Sequence, residues 1–225
     1  MTVHSIVSCS QRVALLFGLL ITAGVANAGV VVDKSVDGQA GPWDAALNAA
    51  LHHYGVADNL SPTVFDASDG LTFSAGDTMT IEYVSGLTSA FGGAPVVDGA
   101  GYIGLPFKND DPGSSGMFFP SLYMDFSMSD IFLNALVGTF ADSTGMIVGT
   151  PFAVNNGPLT VVVPVGASQL QLGVNDDIFV DNTGALVARV SQNVAAVPEP
   201  GSFTLLILGL AFLGRISTMK RGVSP

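Results

Sequence analysis

The densest set of chemically active side chains is the run Asn175-Asp176-Asp177-Ile178-Phe179-Val180-Asp181-Asn182-Thr183-Gly184. Its three carboxylates and two carboxamides fall within eight residues, where the like charges repel unless a cation or water intervenes. Hard oxygen donors on a bent loop are what Ca²⁺ takes, six to eight of them at about 2.3–2.6 Å. The spacing is not that of an EF-hand, because the central glycine and the closing glutamate are absent. A calcium loop and a solvated, Asx-rich turn between two strands both fit it.

Other candidate chemistry is thinner. His52-His53 are adjacent, so they point apart on a helix or strand and read as surface imidazoles rather than as a metal pair. A glycosidase needs a raised-pKa acid facing a second carboxylate. Asp110-Asp111 and Asp176-Asp177 supply acids, but sequence neighbours diverge and no facing pair is visible. The only cysteine, Cys9, precedes an N-terminal apolar run, which leaves the exported chain no thiolate nucleophile and no disulfide. No Walker loop or dinucleotide glycine fingerprint occurs, and no enzymatic activity is expected.

The elements that must carry the acidic loop are short and β-rich. Leu71–Phe73, Met79–Val84, Ala135–Phe140, Met146–Val148, Leu159–Val163, Leu170–Val174 and Leu186–Val190 alternate or cluster apolar residues. Ala75-Gly76-Asp77, Asp142–Gly145 and Asn155–Pro158 punctuate them as turns. This pattern predicts an all-β chain, an antiparallel β-sandwich of the jelly-roll kind. Gly86–Met117, rich in Gly, Ser and Pro, reads as loops at one end. Residues 29–70 read as an N-terminal extension, with an edge strand at Gly29–Val32 and a short helix over Trp43–Tyr54 opened by Pro42. The sandwich proper is then expected over 71–197.

Both ends carry targeting signals. Met1–Ala28 has Arg12, an apolar run from Val13 to Val25 and the small residues Ala26-Asn27-Ala28, the pattern of a secretory signal peptide cut between Ala28 and Gly29. From Val197 the chain reads Val197-Pro198-Glu199-Pro200-Gly201, then an uncharged apolar run from Phe203 to Gly214, then Arg215, Lys220 and Arg221. The apolar run alone covers about 18 Å, and counting on to Met219 with Arg215 snorkelling gives a marginal membrane helix. The basic end stays cytoplasmic and everything before Pro198 lies outside. Between the two signals stand three Lys or Arg residues against seventeen Asp or Glu, a formal charge of −14. That charge excludes nucleic acid as a partner, since phosphates need a basic surface.

The tail over 198–221 resembles the PEP-CTERM sorting signal of Gram-negative bacteria, carried by Pro198, Glu199, Pro200, the apolar run and Arg215, Lys220 and Arg221. The resemblance implies an exosortase as processing partner, transient anchoring in the inner membrane, and a final place at the cell surface or in the extracellular polysaccharide matrix. A plain C-terminal anchor is the simpler alternative.

A second resemblance is to calcium-dependent galactophilic lectins and galactose-binding-like β-sandwiches. It rests on Ser74–Gly86 with Phe91-Gly92, on Ala135–Gly138 and on Leu170–Val190, above all Asn175-Asp176 and Asp181-Asn182-Thr183-Gly184. It implies a Ca²⁺ held by the side chains of Asp176, Asp181 and Asn182 and by main-chain carbonyls at Ile178 and Phe91. Two sugar hydroxyls would bind that ion, with Asp177 and Phe91 beside the sugar. The sequence departs from the family pattern at Asp181, which replaces an amide, at Phe91, which replaces a tyrosine, and in a shorter intervening loop. A calcium-assisted glycan-binding module is thus one expectation, and a structural matrix protein without a specific ligand is the other.

Overall fold

The computed structural model describes residues 29–48, 58–105, 120–124 and 131–193. The chain divides into a unit spanning Asn27–Val197 and a unit made of Met1–Ala26 with Pro198–Pro225. All described residues belong to the first. Ala28, the expected membrane helix and the sorting residues Pro198, Glu199, Pro200, Arg215, Lys220 and Arg221 lie outside them, and no helix among the described residues is long and apolar enough to cross a membrane.

Eight strands follow in order: β1 (Gly29–Asp37), β2 (Thr63–Asp66), β3 (Thr78–Ser89), β4 (Leu136–Ala141), β5 (Ile147–Ala153), β6 (Leu159–Val162), β7 (Gln169–Val174) and β8 (Thr183–Asn193). They form two four-stranded sheets, β1-β8-β3-β6 and β2-β7-β4-β5, and every pairing is antiparallel. Period-two alternation builds the core. Leu186, Ala188 and Val190 of β8 and Met79 and Ile81 of β3 are buried against Phe65, Leu136, Phe140, Phe152, Leu170, Leu172 and Val174 of the facing sheet.

The two sheets differ on their outer sides. In β8 the outward residues are at least partly solvated, whereas all six residues of β4 are buried. Residues 41–48 and Met124 with Ile131 cover the second sheet. Gly173 belongs to that contact, since a Cβ there would overlap the Gly41 and Pro42 backbone. Trp43 is fully buried and meets Tyr123 edge-on, ring centroids 6.1 Å apart.

Four expectations are corrected or narrowed. Residues 29–70 are not an extension of the sandwich, because β1 and β2 supply a strand to each sheet. Lys34 hides this in the sequence. It occupies an inward register position of β1, where its Nζ donates to Asp69 (2.7 Å) and to the Val64 carbonyl (2.7 Å) and lies 5.1 Å from the Phe65 ring centre.

Leu71–Phe73 is not a strand. The Gln192 carboxamide accepts from Thr72 N–H and donates to Thr72 C=O, both at 2.8 Å, so a side chain replaces the ladder partner. Of the expected helix, the described part shows one turn, closed by Asn48 N–H to Asp44 C=O (3.1 Å) and by Leu47 N–H to the Asp44 carboxylate (2.8 Å). The rest of that segment lies outside the described residues. Finally, Gly86–Ser89 extends β3 rather than opening a loop.

Candidate cation-binding loop

The acidic run connects β7 to β8, so it links one sheet to the other at one end of the fold. β7 enters it buried, and Asn175 anchors the departure. Its Oδ1 accepts from Ser121 N–H (3.0 Å), its Nδ2 donates to Phe132 C=O (3.1 Å) and its N–H donates to Ala135 C=O (2.9 Å).

Asp176 follows and is 3 % exposed. Its Oδ1 accepts from the amides of Asp177 (2.7 Å) and Ile178 (3.2 Å), the arrangement of an Asx turn. Its Oδ2 is buried without a partner. Burial pushes the carboxyl up to about 7; the Ile178 and Asp177 amides and the adjacent Asn182 carboxamide oppose that rise, and the Asp177 charge adds to it.

Asn182 is 2 % exposed and ends a single 3₁₀ turn, Phe179–Asp181. It donates Nδ2 to Gly38 C=O at 2.7 Å, and its Oδ1 is likewise buried without a partner. Asn182 favours the Asp176 carboxylate by proximity, yet no hydrogen bond of ordinary geometry reaches Oδ2. The loop therefore presents two desolvated oxygens, one carboxylate and one amide, with the Asn182 side chain beside the Asp176 carboxyl.

The remaining expected residues are placed differently. Asp181 has an exposed side chain, and its main-chain oxygen accepts from Gly92 N–H (2.9 Å). That bond brings the Phe91-Gly92 turn to the acidic loop. Phe91 is 52 % exposed and packs edge-on against Tyr102 at 5.1 Å between ring centres. Ile178 and Val180 are exposed, and Asp177 is half-buried. Gly29 opens β1 in register with Asn193, at the far end of β8 from the loop.

Sequence reasoning missed what holds the loop. Asp58 accepts from Phe179 N–H (3.0 Å) and Val180 N–H (3.1 Å) with its two oxygens. Gln39 donates Nε2 to the carbonyls of Val180 (3.0 Å) and Asn182 (3.1 Å). These residues lie more than a hundred positions upstream, and no local signal ties them to the loop.

Among the described residues no three His, Cys, Asp or Glu side chains gather as metal ligands. The loop's donor set is oxygen only, which suits a hard cation and not zinc or copper. Cavities of about 340 Å³ beside β5 and beside the Asn155–Pro158 turn are lined by other residues.

Fold and loop together define an all-β domain of two antiparallel sheets with a buried oxygen pair at a sheet-to-sheet connection. Residues 196–221 match the family described as the PEP-CTERM protein-sorting motif. That match implies export, a membrane-anchored sorting signal and processing by an exosortase. No curated protein matches the chain.

Proposed function

We propose that this chain is an exported, exosortase-sorted protein of the cell surface or extracellular matrix whose ectodomain is a jelly roll that holds Ca²⁺ at the Asp176–Asn182 loop and binds a glycan at that end. The observation that carries the cation is the pair of buried, unpartnered oxygens, Asp176 Oδ2 and Asn182 Oδ1. A buried carboxylate oxygen without a donor costs free energy that a cation removes. Main-chain carbonyls of the loop and water complete the six to eight oxygens that calcium takes.

The jelly roll is supported by the pairings β1·β8, β2·β7, β3·β6 and β4·β5. They are those of one long hairpin rolled up so that its strands alternate between two sheets. The glycan is supported by exposed Phe91, Ile178 and Val180 around the loop. The −14 charge of residues 29–197 argues for a neutral polymer over a polyanionic one. No catalytic role is proposed for the loop, in which Asp176 is buried and Asp181 is exposed.

A structural protein without a specific ligand is the second reading. It is favoured by Asp176 Oδ1, which already caps two amides as an unliganded turn would. Calorimetric titration with Ca²⁺, followed by a glycan array with and without EDTA, separates the two. Calcium-dependent glycan signals support the first reading. Calcium binding without any glycan signal, or no calcium binding, supports the second.

A further inference from the structure

β1 is an outer strand of its sheet, and the start of its free edge is open. Gly38 N–H donates to Gly184 C=O (2.9 Å), which fixes the phase of the β1·β8 ladder. Val30, Val32, Lys34 and Val36 therefore turn their main-chain groups to β8, and Gly29, Val31, Asp33 and Ser35 turn theirs outward. The Ser35 carbonyl is taken by the Thr63 hydroxyl (3.0 Å). Among the described residues, no bond reaches the outward main-chain groups of Gly29, Val31 or Asp33.

The side chains along this edge suit a second strand. Val31 is 60 % exposed on the outer face, while Val30 and Val32 pack partly buried against the core on the inner one. No proline or outward lysine guards Gly29–Asp33, although edges that stay unpaired usually carry such residues. Beside it Asp33 and Glu82 share one cation, Arg189, at 2.7 and 3.7 Å, which leaves one negative charge over.

We propose that this edge pairs antiparallel with the same edge of a second copy, about a two-fold axis at Val31, once the signal segment is removed between Ala28 and Gly29. Val31 then exchanges both main-chain bonds with its counterpart, and Gly29 stands opposite Asp33 of the second copy. The inference rests on the expected cut, which leaves an α-ammonium at Gly29. That ammonium lands beside the Asp33–Arg189–Glu82 group and supplies the positive charge it lacks. An uncut chain has no such charge, and its Asn27 would run opposite Ser35, whose carbonyl Thr63 already holds. Removal of the signal thus licenses the dimer. The valines of the two copies cover one another, and two four-stranded sheets join into one. So short a shared edge makes a small interface, with association expected at about micromolar concentration and above.

The test uses the full chain, expressed with both signals in a Gram-negative host and extracted in detergent. Its N-terminus is read by mass spectrometry and its association by sedimentation and cysteine cross-linking. A cut at Gly29 removes Cys9, so an introduced cysteine stands alone. Residues paired in this way have Cα atoms about 5.5 Å apart, within disulfide reach. Val31→Cys should therefore cross-link under mild oxidation. Ser35→Cys, roughly 27 Å from its counterpart in this register, should not.

Val31→Pro removes an outward N–H that β8 does not use. It should weaken dimerisation roughly tenfold or more and leave the melting curve little changed. Ala28→Leu with Cys9→Ser keeps the signal attached and should abolish the Val31→Cys cross-link. Calcium and EDTA should change none of these results, which separates them from the cation reading. A wild type that stays monomeric at high micromolar concentration would overturn the proposal. So would equal cross-linking at 31 and 35, an N-terminus other than Gly29, or a dimer that persists with the signal attached.

Discussion

Asn134 donates its main-chain N–H to the carbonyl oxygen of Asn175 across 2.6 Å, joining the start of β4 to the end of β7 at the point where the acidic loop departs. Beyond that bond the backbone carries Asp176 into a desolvated place, and Asn182 closes the loop against Gly38. The loop is thus not a free surface turn. Residues from both sheets and from the segment before β2 fix it, and this makes the states of its unpartnered oxygens measurable.

Asp58 holds the far side of that loop. Replacing it with alanine removes two charge-assisted bonds to the Phe179 and Val180 amides. The expected cost is about 1–3 kcal/mol in urea unfolding. Loss of calcium response should accompany it, because Asn182 is the next residue but one after Val180.

Gly173 is expected to tolerate no side chain. A Cβ would meet main-chain atoms of Gly41 and Pro42, which cannot rotate away as a side-chain tip would. Gly173→Ala should lower stability by roughly 1–3 kcal/mol, read as an earlier melting transition.

In EDTA, Asp176 gives stability an inverse pH dependence. Its folded pKa of about 7 stands above the ordinary 3.8, so between those values the folded chain keeps a proton that the unfolded chain has released. Stability from this group is complete below 3.8, falls as pH rises through the window, and is lost above about 7. The span is of order a few kcal/mol. Asp33, Asp66 and Asp142 are held low by bonds from Arg189, Ser68 and Thr144 respectively, so their contribution is lost only as pH falls below 3.8. Urea midpoints should therefore be higher near pH 5 than near pH 8, and Asp176→Asn should flatten the difference.

Processing gives an independent prediction. Mature protein is expected to lack Met1–Ala28 and the residues beyond Pro198–Pro200, within the stretch that matches the sorting motif. Replacing Glu199 or either flanking proline should leave an uncut, membrane-bound form. Mass spectrometry of the secreted protein checks this, and a secreted species retaining Phe203–Arg221 would contradict it.

The strands from β3 onward were legible wherever one face alternates, as in Leu186, Ala188 and Val190. β2 was not, because only Phe65 of its four residues is buried. β1 looked short because Lys34 interrupts its inward row, with a charge that only Asp69 and the Val64 carbonyl make acceptable. Leu71–Phe73 read as a strand because Leu71 and Phe73 alternate with Thr72, but its backbone is satisfied by the Gln192 side chain and not by a neighbouring strand.

At the candidate site, charge density singled out the loop between β7 and β8 but gave Asp181 the same weight as Asp176. Spacing does not reveal that one side chain is solvated and the other desolvated. Asp58 and Gln39 were invisible because their bonds to the loop span 121 and 143 residues respectively. Asn134 carried no signal beyond being an asparagine at the edge of a strand.

The central claim is that a cation completes the oxygens around Asp176. Thermal unfolding of the purified chain in saturating Ca²⁺ and in EDTA tests it most directly. A ligand bound only by the folded state contributes about 2.7 kcal/mol at a hundredfold excess over Kd, which raises the melting temperature of a domain this size by roughly 5–10 °C. The account predicts that rise, its reversal by EDTA and its absence in Asp176→Ala. A wild-type melting curve that calcium leaves unmoved would contradict it.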